Sequence, residues 1–384
     1  MKREKVSLIE CREYDYKFVK KSIVESFNNL GGIEKYINKG DKVLLKLNLL
    51  MKKKPEEAAT THPIFTKALA EVLIEYGAEV IIGDSPGGPF NERMLKGVYR
   101  VCGIDEIAME TGAVLNFNTN SMEVANPQGK YLKQLTIVEI LKEVDKVISV
   151  SKLKTHGFAV FTGAVKNMFG IVPGLIKAEY HLTMPEIEEF SDVLVDICLC
   201  GKPTLSFMDG IVGMEGHGPS AGEPREIGAI LASPSPYHLD VVAASIINLK
   251  PIEVPTIKRS IERNLCTGTL EDIEIIGKDI NKFVIEDFII PKTRTLKLTT
   301  DGMPKFLKTF IDNMSRPKPI FSYDICIGCR DCEEACPPKT ITMKNNKPVV
   351  DLEGCIRCFC CQELCPQKAV EIYRPWLVRK MIKF

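Results

Sequence analysis

Cysteine spacing constrains this chain more than any other feature. Nine of its 14 cysteines lie between Cys326 and Cys365, a window of 40 residues. Crowding of this kind in one short stretch reads as metal binding rather than as disulfides. Cys326, Cys329, Cys332 and Cys336, followed by Pro337, form C-x2-C-x2-C-x3-C-P. Cys355, Cys358, Cys361 and Cys365, followed by Pro366, repeat it 29 residues later. Three thiolates on a tight loop reach three irons of one cubane, and the fourth serves the other cluster. The expected sets are Cys326, Cys329 and Cys332 with Cys365, and Cys355, Cys358 and Cys361 with Cys336. Gly328 suits a loop whose backbone approaches a cluster closely. The alternative is a pair of closed tetrahedral zinc sites, but two intact runs each ending in proline favour two [4Fe–4S] clusters. Cys360 falls outside the pattern and reads as a packing residue. Cys11, Cys102, Cys198, Cys200 and Cys266 read as structural thiols.

The last 60 residues or so thus resemble a bacterial two-cluster ferredoxin. The remainder is long enough for one or two more domains in a chain of 384 residues. Lys plus Arg is 51 and Asp plus Glu is 50, a balance that excludes a general nucleic-acid coat. No apolar run approaches the roughly 18 residues of a membrane span. The opening MKREKVSLIECREYDY is too weakly apolar for a signal peptide, so a cytoplasmic location is expected.

Up to residue 316, apolar runs alternate with helical patterns. Strands are expected at 6–11, 43–50, within 79–88 (a strand running into a Gly/Pro loop), 113–118, 145–150, 204–209 and 226–233. Helical stretches are expected at 17–38, 63–76 (with Thr61 as cap and Gly77 as stop), 91–110 and 236–249. Such alternation predicts an α/β fold with a mainly parallel sheet covered by helices, followed by a small α+β ferredoxin-like iron–sulfur domain. The expected divisions are 1–316, 317–373 and a basic-apolar tail, 374–384, packed on the chain itself.

There is no G-x-x-x-x-G-K-[ST], and GHGPSAG (216–222) leads into a strand, so neither a P-loop nor a dinucleotide fingerprint is present. Instead, several apolar strands run straight into polar, glycine-rich segments. These carry Lys46 and Asn48; Asp84 and Ser85; Lys152, Lys154 and His156; and Asp209, Glu215 and His217. The carboxyl ends of parallel strands share one rim, where ligands bind. The following segment, 155–181, adds Lys166, Asn167 and His181 among four glycines. Lys154 and Lys166 are expected to hold an anionic group. His156 is expected to be the proton donor, because an unperturbed imidazole titrates near working pH. Asp84 and His217 are further acid–base candidates. Lys46, Asn48, Ser85, Lys152 and Asn167 are candidate cofactor-binding residues. Lys152, Lys154, Lys166 and Lys177 together suit a carboxylate or phosphate, while Lys177 alone and the run Lys52–Lys53–Lys54 read as solvated.

KLNLL, ATTHP, IGDSPGG, SKLKTHGFAVFTGAVKNMFGIVPG and DGIVGMEGHGP, in that order, resemble the motifs of the family named domain of unknown function 362. The resemblance covers roughly residues 1–310, and many such proteins resemble this one in ending with a ferredoxin-type module. It implies a family and site motifs but no reaction. The expected function is an iron–sulfur oxidoreductase. It would take electrons from a reduced ferredoxin-like or flavin donor and deliver them to an anionic small molecule at the rim. An electron carrier or maturation protein that docks on a partner enzyme is the alternative.

Overall fold

A computed structural model describes residues 3–291 and 317–373. The tail at 374–384 lies outside the described residues. The large sheet is built from β1 (Glu4–Glu10), β2 (Lys42–Lys46), β3 (Glu79–Gly83) and β4 (Val114–Leu115). A hairpin of β5 (Ser121–Ala125) and β6 (Gln134–Val138) stands off it. The sheet continues with β7 (Lys146–His156), β8 (Val160–Thr162), β9 (Leu205–Glu215), β10 (Glu223–Ser233) and β11 (Ile273–Gly277). Strand order is β11-β1-β10-β9-β7-β2-β3-β4, with β8 paired to β7. The run β9-β7-β2-β3-β4 is parallel, and β10 lies antiparallel to both β1 and β9. The sheet is mixed but mainly parallel.

Both faces are covered, and the strand sequences show why. Val43 and Leu45 of β2 enter one apolar cluster with Ile23, Phe27, Phe65 and Leu69 of helices Tyr16–Asn29 and Pro63–Tyr76. Leu44, between them, points the other way into a cluster with Val193 and Ile197 of helix Ile187–Gly201. Alternate side chains of a strand face opposite sides, so a strand buried on both faces must be apolar throughout.

Three local expectations need correction. The helical stretch at 91–110 is two helices, Glu92–Val101 and Ile104–Thr111, broken at Gly103, whose φ of +70° is left-handed. Helix Pro63–Tyr76 is capped by His62, whose Nδ1 accepts from the Ile64 N–H at 3.2 Å, rather than by Thr61. Thr61 Oγ1 instead donates to the Val150 carbonyl at 2.8 Å. The strands at 145–150 and 204–209 run on to His156 and Glu215. Lys152, Lys154 and His156 therefore sit in strand, not in a loop after it, and a register irregularity separates Lys152 from Lys154.

The small sheets of the C-terminal part are β12 (Lys318–Phe321) against β15 (Val370–Tyr373), and β13 (Ile341–Lys344) against β14 (Lys347–Val350). Short helical turns, Asp331–Glu334 and Cys360–Glu363, follow the two cysteine loops. This part docks on the carboxyl rim of the large sheet. Gln362 Nε2 donates to the His217 carbonyl at 2.9 Å, and Ser220 Oγ donates to the Glu363 carbonyl at 2.6 Å. Lys368 Nζ reaches the Gly222 carbonyl at 3.2 Å. Lys53 is buried, contrary to its solvated reading, because it pairs with Glu57 at 2.8 Å and faces the Pro366 carbonyl at 3.4 Å.

Candidate functional site

The two cysteine runs fold back on each other. Cys326, Cys329 and Cys332 of the first run and Cys365 of the second line one small cavity. Cys355 lies within electrostatic reach of Cys358 and Cys336, and Cys361 of Cys358, Cys355, Cys332 and Cys336. Among the described residues, no three Cys, His, Asp or Glu side chains close on a single ion. A lone tetrahedral zinc, with Zn–S bonds of about 2.3 Å, draws its sulfurs together. A cubane spreads them, since each thiolate bonds a different iron. Thiols set around a cavity fit the cluster. Gly328 has a φ of +71°, and a Cβ there would stand 2.8 Å from the Asn346 carbonyl oxygen, so the loop demands glycine on its own account.

A crevice of about 530 Å³ lies between the sheet rim and the docked module. The ends of β2 and β3 supply Lys46, Asn48, Asp84 and Ser85; the turn after β8 supplies Lys166 and Asn167. The helix Gly174–Thr183 adds Lys177 and His181, and the module adds Cys360, Glu363 and Leu364.

The floor of the crevice is a closed polar network. Lys46 Nζ pairs with Asp84 Oδ1 at 2.8 Å and donates to Asn167 Oδ1 at 3.1 Å. Asp84 accepts the Leu49 N–H at 2.7 Å and the Ser85 N–H at 2.8 Å. Asn167 Nδ2 reaches Ser149 Oγ at 2.9 Å, and Asn48 Nδ2 donates to Asn167 Oδ1 at 3.1 Å. Gly170 lies directly on this network: a Cβ there would fall 2.0 Å from Asp84 Oδ1 and 2.2 Å from Lys46 Nζ. The turn carrying Lys166 is held from behind by Asp240, which accepts the Ala164 N–H at 2.6 Å and the Val165 N–H at 3.1 Å.

Above the floor the groups are less saturated. Among the described residues Lys166 makes no hydrogen bond or ion pair; its Nζ lies 5.6 Å from the centre of the Phe169 ring. Lys177 sits 5.8 Å from the same ring and donates to the Ser85 and Pro86 carbonyls, which corrects its solvated reading. His181 is buried and stacks on Phe190 at 4.2 Å, with its Nδ1 unpartnered. Burial in this aromatic setting and the nearby Lys166 charge push its pKa down to about 3.

His156 is likewise buried, and its Nδ1 accepts the Phe158 and Ala159 N–H groups at 3.0 and 3.2 Å. That fixes the neutral tautomer with the proton on Nε2. Nε2 has no hydrogen-bond partner and stands 3.6 Å from Glu363 Oε2. Desolvation, then Lys166, hold its pKa well below the ordinary value. Titration near working pH, the reason for expecting His156 as proton donor, does not apply to it here. Lys154, by contrast, is pushed down to about 7 by burial and by Lys166, while its ammonium donates to Asn48 Oδ1 at 2.8 Å.

Four expected site residues do not line the crevice. Lys154 and His156 stand behind it, joined to its wall through Asn48 and Glu363. Lys152 is buried away from the crevice, paired with Asp209 at 2.8 Å and donating to the Tyr14 hydroxyl at 2.7 Å. His217 is exposed, and it is its backbone carbonyl that meets the module. Glu215 is turned toward the Ile289 N–H, at 3.0 Å. Lys177 and His181 of the expected segment join the crevice, and so do Cys360 and Glu363, which the sequence reading assigned no part in it. Lys177 and His181 are four apart on one helix, a spacing that places them on one face. Only docking of the module reveals Cys360 and Glu363.

Among the described residues no helix is long and apolar enough to cross a membrane. Residues 318–366 match the 4Fe-4S dicluster domain, so the C-terminal part is an iron–sulfur domain with provision for at least one [4Fe–4S] cluster. Among solved structures, the lactate racemase apoprotein from Thermoanaerobacterium thermosaccharolyticum is similar with a TM-score of 0.41 and 14% identity. The match covers 63% of this chain and 57% of that one. The thylakoid-associated protein sll1697 of Synechocystis sp. is 30% identical over 306 residues, which are 79% of this chain and 92% of that protein. Residues 43–245 match the domain of unknown function 362 (DUF362), and with that relative spanning most of both chains, the protein belongs to the DUF362 family.

Proposed function

We propose that the protein is a cytoplasmic iron–sulfur oxidoreductase that acts on an anionic small molecule held in the crevice. The observation that carries this reading is the shared wall. One cavity is bounded on one side by Lys46, Asp84, Lys166 and Lys177 and on the other by Cys360 and Glu363, beside the cluster cysteines. Two [4Fe–4S] clusters, held by Cys326, Cys329, Cys332 and Cys365 and by Cys355, Cys358, Cys361 and Cys336, would supply one-electron chemistry next to the bound molecule. A reduced ferredoxin-like or flavin donor is the proposed partner.

The chain's own groups divide the remaining work. Lys166 and Lys177 attract the anion. The Lys46–Asp84–Asn167 network fixes the floor, so the loops bearing those lysines keep their places. His156 offers a neutral N–H from Nε2. Lys154, with its pKa near 7, has acidity matched to proton transfer at neutral pH, and Asn48 connects it to the crevice wall. The docked module walls the crevice with Cys360, Glu363 and Leu364.

Anaerobic protein is expected to carry about eight irons and eight labile sulfides. Lys166→Ala should abolish ligand binding or turnover with both clusters loaded. Cys355→Ser should stop electron delivery and spare binding. Cys336→Ser should damage the cluster of the second run. Stoichiometric zinc without labile sulfide, or a Lys166→Ala protein that turns over like the parent, would refute the proposal.

A further inference from the structure

We infer that the inner end of the crevice is a subsite for a singly charged carboxylate carried on an apolar body, bound by Lys166 and the buried imidazole of His181. This rests on the oxidoreductase reading above only for what happens to the molecule afterwards. The site itself rests on unpartnered groups.

Three observations lead there. First, two nitrogens are buried with no hydrogen-bond partner, His156 Nε2 and His181 Nδ1. Leaving a buried polar group unsatisfied costs about 1–3 kcal/mol, and the one on His181, which lines the crevice, marks where a ligand oxygen is missing. Second, the crevice groups are gathered about one ring. The Phe169 ring lies 6.2 Å from His181, 5.6 Å from Lys166 Nζ and 5.8 Å from Lys177 Nζ. His156 stands behind the wall, its Nε2 turned toward Glu363, which lines the crevice. Third, the acid already nearest is Glu363, whose Oε2 stands 3.6 Å from His156 Nε2, beyond hydrogen-bond range. It is an imperfect acceptor, and its charge opposes a bound carboxylate.

Charge selects the head group. Lys46 is paired with Asp84, while Lys177 donates to the Ser85 and Pro86 carbonyls, which hold its ammonium without cancelling its charge. Over the whole lining, five lysines (Lys46, Lys52, Lys166, Lys177 and Lys339) meet four carboxylates (Asp84, Asp331, Glu334 and Glu363). The net positive charge of one balances one negative charge. A phosphate dianion would leave a second charge buried without a partner, which is expensive. The walls select the body: Leu50, Met51, Met94 and Leu364 offer apolar surface away from the lysines.

Benzoate serves as the probe, with acetate and inorganic phosphate beside it, titrated calorimetrically into the anaerobic, cluster-loaded full chain. Benzoate should bind more tightly than acetate, and phosphate at least tenfold more weakly than benzoate. Lys166→Gln should weaken benzoate at least tenfold. His181→Phe, which preserves the aromatic stack, should weaken it severalfold. Glu363→Gln should tighten it, because a competing acceptor and an opposing charge are gone. The opposite signs of the Lys166 and Glu363 variants separate a binding role from loss of folding, and the cluster absorbance of each variant checks its integrity. Phosphate binding as tightly as benzoate, or Glu363→Gln weakening benzoate, overturns the assignment. Benzoate binding with all these signs in a protein whose clusters cannot exchange electrons would keep the subsite and remove the oxidoreductase reading. Failure of benzoate to bind while the clusters reduce some other compound would do the reverse.

Discussion

Two lysines on neighbouring parts of the chain, Lys152 fully buried and Lys166 half-buried, behave differently. Lys152, on β7, is enclosed with every charge answered: Asp209 takes its ammonium, and Tyr14 and the His62 N–H complete the carboxylate's partners. Tyr14 stacks on His62 at 3.5 Å and closes the group off. Lys166, ten residues beyond the end of β7, has an aromatic ring beside it and no ion pair or hydrogen bond among the described residues. Burial lowers the pKa of both. Burial alone therefore does not mark function. A saturated buried charge holds the fold, and an unsaturated one awaits a ligand.

The contrast breaks most visibly at Lys152. Lys152→Met leaves the Asp209 carboxylate in the interior without its cation, a loss on the order of 3–5 kcal/mol. A urea melt should show it, and Lys152→Met with Asp209→Leu should recover most of the loss. A single variant as stable as the parent would contradict the structural role. Next in size is Gly170→Ala. Its Cβ would intrude on the Lys46–Asp84 pair, and forcing atoms into a filled site costs about 1–3 kcal/mol. Thermal melting should fall, and benzoate binding with it. Lys166→Met should stay within about 1 kcal/mol of the parent, or exceed it, because an unpaired, half-buried ammonium costs stability in the ligand-free protein. A large destabilisation there would make Lys166 a second Lys152.

Legibility in the sequence follows the same division. The iron–sulfur domain was readable because the cysteine spacing that marks it is local, set along two short loops. The mainly parallel sheet was readable because apolar strands alternate with helical patterns, and the rim rule then brought Lys46, Asn48, Asp84, Ser85, Lys166 and Asn167 to one crevice. Lys152 was assigned to the wrong group because β7 continues past Val150 and carries it back among strands, where Asp209 of β9 stands opposite in register. His217 was misplaced because the docked module uses its backbone and leaves the ring outside. Glu363 had no local signal. Its place depends on how the second cysteine run lies over the rim, a long-range fact that spacing does not encode.

The smallest expected effect concerns Lys154, which lies between the two cases. It is buried and hydrogen-bonded to Asn48 yet has no ion pair, and its pKa in the folded chain is about 7, against 10.5 for an ordinary lysine. Between those values the unfolded chain holds a proton that the folded chain has released. The unfolded state thus binds more protons there, and stability rises with pH. Well below pH 7 both states are protonated, and the full cost of the buried charge is present. From pH 6.5 to 7.5 the gain from this one group is on the order of 0.7 kcal/mol, and the rise continues toward pH 10. Lys154→Met should be more stable than the parent near pH 6, and the difference should shrink as pH climbs. Chemical melts of the two proteins across pH 6–9 measure it. The difference between them cancels the contribution of Lys177, whose pKa is also lowered by burial. A constant difference across the range would mean that Lys154 keeps its proton throughout, with a partner as effective as the one Asp209 provides for Lys152.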